Sequence, residues 1–125
     1  FSRDVTVFTG EDLAIMWLRD LFRCQRDYRN NDTDGDGVAN YADSVETLRL
    51  AGLLSLYLLS LVERESGYEF RLIVDEDRLL WYATATPVDP EGRNGEAERP
   101  AFYMDQSGGL RVSAGSPSPY GVLIH

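Results

Sequence analysis

Ser66-Gly67-Tyr68-Glu69-Phe70-Arg71-Leu72-Ile73-Val74-Asp75-Glu76-Asp77-Arg78-Leu79-Leu80-Trp81-Tyr82-Ala83-Thr84-Ala85-Thr86 is the stretch where the hydrophobic period changes. Upstream, apolar residues recur every three or four positions; from Tyr68 onward they recur every second one. Tyr68, Phe70, Leu72 and Val74 alternate with Glu69, Arg71 and Ile73, which predicts a half-buried strand. Asp75-Glu76-Asp77 reads as a turn, and Leu79 to Thr86 as a second strand with Trp81, Ala83 and Ala85 on one face. Together they predict a β-hairpin.

Toward the C-terminus, Pro87 to Pro100 is a polar loop with three Pro and two Gly. That is long for a compact domain, so it is expected to be exposed or engaged with a ligand. Ala101 to Asp105 and Leu110 to Ser113 predict a second hairpin across Gln106-Ser107-Gly108-Gly109. The tail carries the stiff Ser116-Pro117-Ser118-Pro119, then the apolar Tyr120-Gly121-Val122-Leu123-Ile124.

Toward the N-terminus, Leu13, Met16, Trp17, Leu21, Cys24 and Tyr28 recur at helical spacing. Thr9 can cap this helix, Glu11 and Asp12 suit its first turn, and Arg19, Arg23, Arg26 and Arg29 load its later turns. A helix over 10–30 is expected. A second helix is expected from Asp43, with Asp43 as N-cap and Glu46 reaching back. Val45, Leu48, Leu53, Leu54, Tyr57, Leu58 and Leu61 would be its apolar face, with Gly52 a point where it splits. Residues 1–9 read as an extended arm with Val5 and Val7 on one face. Helices first and strands second predict an α+β fold, with N-terminal helices packed on a C-terminal antiparallel sheet of about four strands. Residues 1–125 form one domain on this reading: arm 1–9, core 10–113 and tail 114–125.

Composition narrows the function. The 125 residues carry 21 acids against 12 bases, all Arg, for a net charge of −9 and a pI near 4.4. An acidic chain with no basic cluster argues against nucleic acid as partner. No apolar stretch approaches the roughly 20 residues of a membrane-spanning helix, so no span is expected. The single Cys24 leaves no intrachain disulfide and no Cys-rich zinc site, and a single His at the last position, His125, argues against Ser-His-Asp, Cys-His and multi-His metal chemistry. No signal peptide is visible, so any export signal would have been removed already.

Asp32-Thr33-Asp34-Gly35-Asp36-Gly37-Val38-Ala39-Asn40-Tyr41-Ala42-Asp43 is the segment that carries chemistry. Asp32, Asp34 and Asp36 fall at positions 1, 3 and 5 of a 12-residue calcium loop, and Gly37 at the sharp turn of position 6. Val38 would offer its carbonyl at position 7, Asn40 stands at position 9, and Asp43 supplies a carboxylate at position 12. Calcium takes 6–8 hard oxygens at ~2.3–2.6 Å, and this spacing delivers them. The alternative is a solvated Asp/Gly turn, but these carboxylates at short range repel one another without a counter-ion. The ligand set is therefore Asp32, Asp34, Asp36, Val38, Asn40 and Asp43, with Ca²⁺ as the ion. A final Asp in place of Glu makes the loop resemble those of dockerins and thrombospondin type 3 repeats more than EF-hand sensors.

The chain also resembles the globular part of bacterial pilin-like and pseudopilin-like proteins over roughly residues 11–113. The elements that carry this are Leu18-Arg19 and Gln25 in the helix, then Asn40-Tyr41-Ala42-Asp43-Ser44 with Leu48 after the loop. Gly67-Tyr68-Glu69-Phe70, Ala83-Thr84-Ala85-Thr86-Pro87, Phe102-Tyr103-Met104-Asp105 and Gly108-Gly109-Leu110-Arg111 follow in order. Pilins begin with a long apolar helix, which this sequence lacks, and Val5 stands where they carry Glu, so their assembly mechanism is not carried over. The resemblance implies an exported, non-catalytic structural protein, extracellular or at the cell surface, with the periplasm as a further location.

Other chemistries are weaker. Cys24, between Arg23 and Arg26 on the helix, is either a reactive thiol or, preferably, a packing residue. Glu63, Glu65, Glu69 and Asp75 to Asp77 read as solvated acids rather than paired catalytic carboxylates. Trp17, Trp81, Tyr82 and Tyr103 are core or sheet packing, with a carbohydrate platform as the alternative. Asp89, Glu91, Glu96 and Glu98 in the 87–100 loop could hold a second calcium, but their spacing is irregular. The apolar ends, Phe1 to Phe8 and Tyr120 to Ile124, would link copies into a homo-oligomer or filament by strand exchange, or else complete the chain's own sheet. The function expected is a calcium-binding surface protein that assembles with itself or partners. The alternative is a binding module presenting its sheet and the 87–100 loop to a ligand such as a glycan.

Overall fold

A computed structural model describes residues 10–31, 33, 35, 37–54, 60, 62, 64–88 and 99–124. The first helix, α1, spans Gly10–Asn30 as expected. Its acidic first turn and Arg29 in its last turn complement the helix dipole. Leu13, Trp17, Leu21, Cys24 and Tyr28 form one buried stripe, flanked by Leu18 and Gln25. On the outer face Arg23 pairs with Asp20 at 2.7 Å and Asp27 at 3.3 Å. With Arg23 45% exposed these pairs are worth a few tenths of a kcal/mol each.

The second helix differs from expectation. α2 is only Val45–Leu50, and its N-cap is Ser44 rather than Asp43. Ser44 is extended, and its short side chain reaches the Thr47 amide at 3.1 Å. Asp43 instead accepts the Thr47 hydroxyl at 2.6 Å, and Glu46 pairs with Arg49 rather than reaching back. Gly52 ends the helix: with φ 77 it turns left-handed, placing the Gly52 amide on the Arg49 carbonyl and the Leu53 amide on that of Leu48. Leu54 and Val62 are both buried in the core. Tyr57, Leu58 and Leu61 lie outside the described residues.

Five strands follow: β1 (Tyr68–Val74), β2 (Trp81–Pro87), β3 (Pro100–Asp105), β4 (Leu110–Ala114) and β5 (Val122–Ile124). They form one antiparallel meander in the order β1-β2-β3-β4-β5. The architecture is α+β, and the sheet has five strands rather than four because the apolar tail pairs with β4. The register runs Leu72, Ala83, Met104, Leu110, Ile124 across all five strands, so one inward row lies under α1. Ala83 and Ala85 in β2 are fully buried, and their small side chains let the helix settle onto the middle of the sheet. Trp17 packs on Phe70 with ring centroids 4.5 Å apart.

β2 begins at Trp81, not Leu79. Asp75 Oδ1 accepts from the amides of Leu79 and Leu80 at 2.9 and 3.2 Å, and Arg78 takes φ 57. The resulting turn absorbs both leucines, which are 49% and 54% exposed. The arm 1–9, including Thr9, and the loop segment 89–98 lie outside the described residues.

Candidate functional site

Asp32, Asp34 and Asp36 lie outside the described residues; both limbs of their loop are described. On the entry side α1 closes with the Asn31 amide on the Asp27 carbonyl and the Thr33 amide on that of Tyr28. Gly35 and Gly37 have φ 69 and 77, and a Cβ at either would meet nothing within 4 Å. What glycine supplies there is backbone handedness, not space, as position 6 of a calcium loop demands of Gly37.

The exit limb is fastened to the core. The Tyr41 amide donates to the Arg78 carbonyl at 2.8 Å, in the β1–β2 turn. Gln25, fully buried on α1, donates Nε2 to the Ala42 carbonyl at 3.0 Å and accepts the Ala42 amide at 2.8 Å. The Tyr41 ring meets Trp81 edge-on at 6.3 Å and lies 5.6 Å from the Arg29 guanidinium.

This limb carries the other three expected ligands. Val38 is 52% exposed, and Asp43 is exposed with Oδ1 held by the Thr47 hydroxyl. Asn40 is 6% exposed, and among the described residues its Oδ1 has no hydrogen-bond donor. A buried amide oxygen left unsatisfied costs about 1–3 kcal/mol, so such an atom calls for a partner. Among the described residues no group of three or more His, Cys, Asp or Glu is placed to hold a metal. The expected set is all oxygen, which suits a hard cation.

The other candidates separate cleanly. Cys24 is fully buried, with Sγ 3.1 Å from the Leu53 carbonyl. Burial first, then the Asp20 carboxylate, push its thiol up to about 12, so it is a packing residue and not a nucleophile. Trp17 and Trp81 are buried on the inner face, whereas Tyr82 and Tyr103 stack on the outer face, 5.5 Å apart. Glu65 and Glu69 are exposed, and Asp75 serves its turn. Glu63 and the loop acids Asp89, Glu91, Glu96 and Glu98 lie outside the described residues.

One cluster has no signature in the sequence. Arg99 Nη2 donates to Glu11 Oε1 at 3.1 Å, and its guanidinium lies 4.9 Å from the Tyr68 ring centre. The Tyr68 hydroxyl donates to the Pro100 carbonyl at 2.5 Å, and burial, then Glu11, raise its phenol to about 12. Residues 11, 68 and 99 are joined only by the antiparallel topology, which brings the starts of β1 and β3 to the first turn of α1. The cluster ties helix to sheet.

No protein-family model, curated protein or solved structure matches the chain. Among the described residues no helix is long and apolar enough to cross a membrane.

Proposed function

We propose that this chain is an exported, non-catalytic structural domain of pilin-like type, stiffened by calcium in the Asp32–Asp43 loop, that assembles with itself or partners at the cell surface. The observation that carries the calcium reading is Asn40: among the described residues its buried Oδ1 finds no donor, and it stands at position 9 of the spacing, where calcium is reached directly or through a water. Left-handed Gly37 at position 6 supports it. The ion's task on this reading is mechanical. The loop leaves α1 and returns through Ala42, which Gln25 holds to the same helix, so an ion joining its carboxylates would lock α1 to the start of α2.

Isothermal titration with calcium, with magnesium as comparator, tests the reading. We expect one calcium per chain with Kd of about 10⁻⁴–10⁻³ M, lost in Asp34→Ala and Asp36→Ala. No heat with calcium, or equal heat in the variants, overturns it. Assembly is read from the mass in solution by light scattering with calcium present; a monomer at every concentration overturns that half.

A further inference from the structure

We propose that the outer face of the sheet, at the end where the β1–β2 and β3–β4 turns meet, binds an arginine side chain of a partner protein between the tyrosines and carboxylates that line a cleft there. The cleft measures about 360 Å³ and is walled by Ile73, Leu80, Tyr82 and Tyr103, with Asp75 and Asp105 among its lining residues. That volume admits one long side chain and sits at the small end of ligand sites.

The register explains the grouping. Ile73, Tyr82 and Asp105 form one outward row across β1, β2 and β3, and Tyr103 lies diagonal to Tyr82. The two rings stack at 5.5 Å with 21° between planes. Ile73, Leu80 and Tyr82 are 38%, 54% and 39% exposed, so large apolar residues stand in water beside charged ones. Both carboxylates are fixed. Asp75 Oδ1 accepts from the Leu79 and Leu80 amides, and Asp105 Oδ1 accepts from the Ser107 amide at 3.0 Å and its hydroxyl at 2.5 Å. Gln106, also in the lining, is anchored by accepting the Trp81 amide at 3.3 Å.

Charge complementarity selects the occupant. Among the described residues the lining holds two carboxylates and no base. The bases of this face, Arg71 and Arg111, share the row of Tyr103, and Arg111 is turned to the Gly121 carbonyl at 3.0 Å. The Tyr103 phenol is raised by burial and then by Asp105, with Arg111 opposing them more weakly. A cation satisfies both features, since aromatic faces and carboxylates each attract it. Guanidinium fits better than ammonium: its plane stacks on tyrosine while its edge pairs with a carboxylate. This inference is independent of the calcium reading.

The test is a titration of isotopically labelled protein with N-acetyl-argininamide, followed by amide shifts, with calcium and with chelator. The neutral isostere N-acetyl-citrullinamide and methyl glucoside are the comparison probes. We expect saturable shifts at Tyr82, Tyr103 and Gln106, with affinity about tenfold above that for citrulline, the difference one charge-assisted pair supplies. Tyr82→Ala and Asp105→Asn should each weaken binding, and Tyr82→Phe should retain it. Equal binding of citrulline, preference for the glucoside, shifts away from the cleft, or no binding in the tens of millimolar overturns the proposal.

Discussion

The side chain of Gln25 pairs with the backbone of Ala42 as a neighbouring strand would, donating to its carbonyl at 3.0 Å and accepting its amide at 2.8 Å. Both residues are fully buried. A loop returning from a run of aspartates thus finds its two main-chain groups satisfied inside the core by one amide on the helix it left.

Gln25→Ala should therefore destabilise the fold by about 2–4 kcal/mol, because it strands a buried N–H and C=O together. Gln25→Glu should also destabilise, since a carboxylate keeps the acceptor but sets an oxygen against the Ala42 carbonyl. Chemical denaturation with chelator present measures both. A change below about 0.5 kcal/mol in Gln25→Ala would mean that water replaces the amide without loss.

Asn40 gives a sharper prediction for calcium. With chelator, Asn40→Ala should lie within about 1 kcal/mol of the parent, because the lost packing is offset by removal of an unsatisfied oxygen. Calcium at a hundredfold excess over Kd should stabilise the parent by ~2.7 kcal/mol and the variant clearly less. Thermal melts with calcium and with chelator provide the comparison. An identical calcium response in both would remove Asn40 from the ligand set.

Alkaline pH should weaken the fold through Cys24 and Tyr68. The thiol rises from 9.0 to about 12 through burial and then Asp20, and the phenol from 10.0 to about 12 through burial and then Glu11. Well below pH 9 both groups are protonated folded and unfolded, so their contribution is intact. As pH climbs toward about 12 the unfolded chain ionises first and stability falls. Cys24→Ala and Tyr68→Phe should each flatten that decline in denaturation midpoints. A thiol reagent at pH 8 should label Cys24 only as fast as the protein opens; rapid labelling of the native chain would contradict its burial.

Local patterns made most of the fold legible. The stripe Leu13, Trp17, Leu21, Cys24 and Tyr28 defines α1 without help from the rest of the chain, and alternation from Tyr68 defines β1. Errors arose where two neighbours compete for one role. Ser44 outcompetes Asp43 for the cap because its hydroxyl reaches the Thr47 amide, and Asp75 holds Leu79 and Leu80 out of β2 through their amides. The site was legible only as spacing: six positions predict an ion, whereas the Gln25 clasp and the Arg99–Glu11 pair link residues 17 and 88 apart. Periodicity carries no record of such pairs, which exist only once the sheet has folded against the helix.

The tail shows how that ordering bears on assembly. Val122–Ile124 can be read as a strand lent to a neighbour or as an edge of its own sheet, and it pairs with β4 of its own chain, from Leu110↔Ile124 to Val112↔Val122. Gly121 sits so close that a Cβ there would lie 2.6 Å from the Val112 carbonyl oxygen, and Arg111 clamps the Gly121 carbonyl at 3.0 Å. Deleting Tyr120 to His125 should then uncover the edge of β4 beside buried Leu110 and increase self-association. Strand exchange through this segment demands the reverse, because removing the lent strand would dissolve the assembly. Gly121→Val should act like the deletion, driving β5 off by steric overlap while leaving its apolar residues in place. Light scattering of the three chains, at matched concentration and with calcium, separates the cases. Lower mass in both altered chains than in the intact one would mean that β5 leaves its own sheet to join another copy.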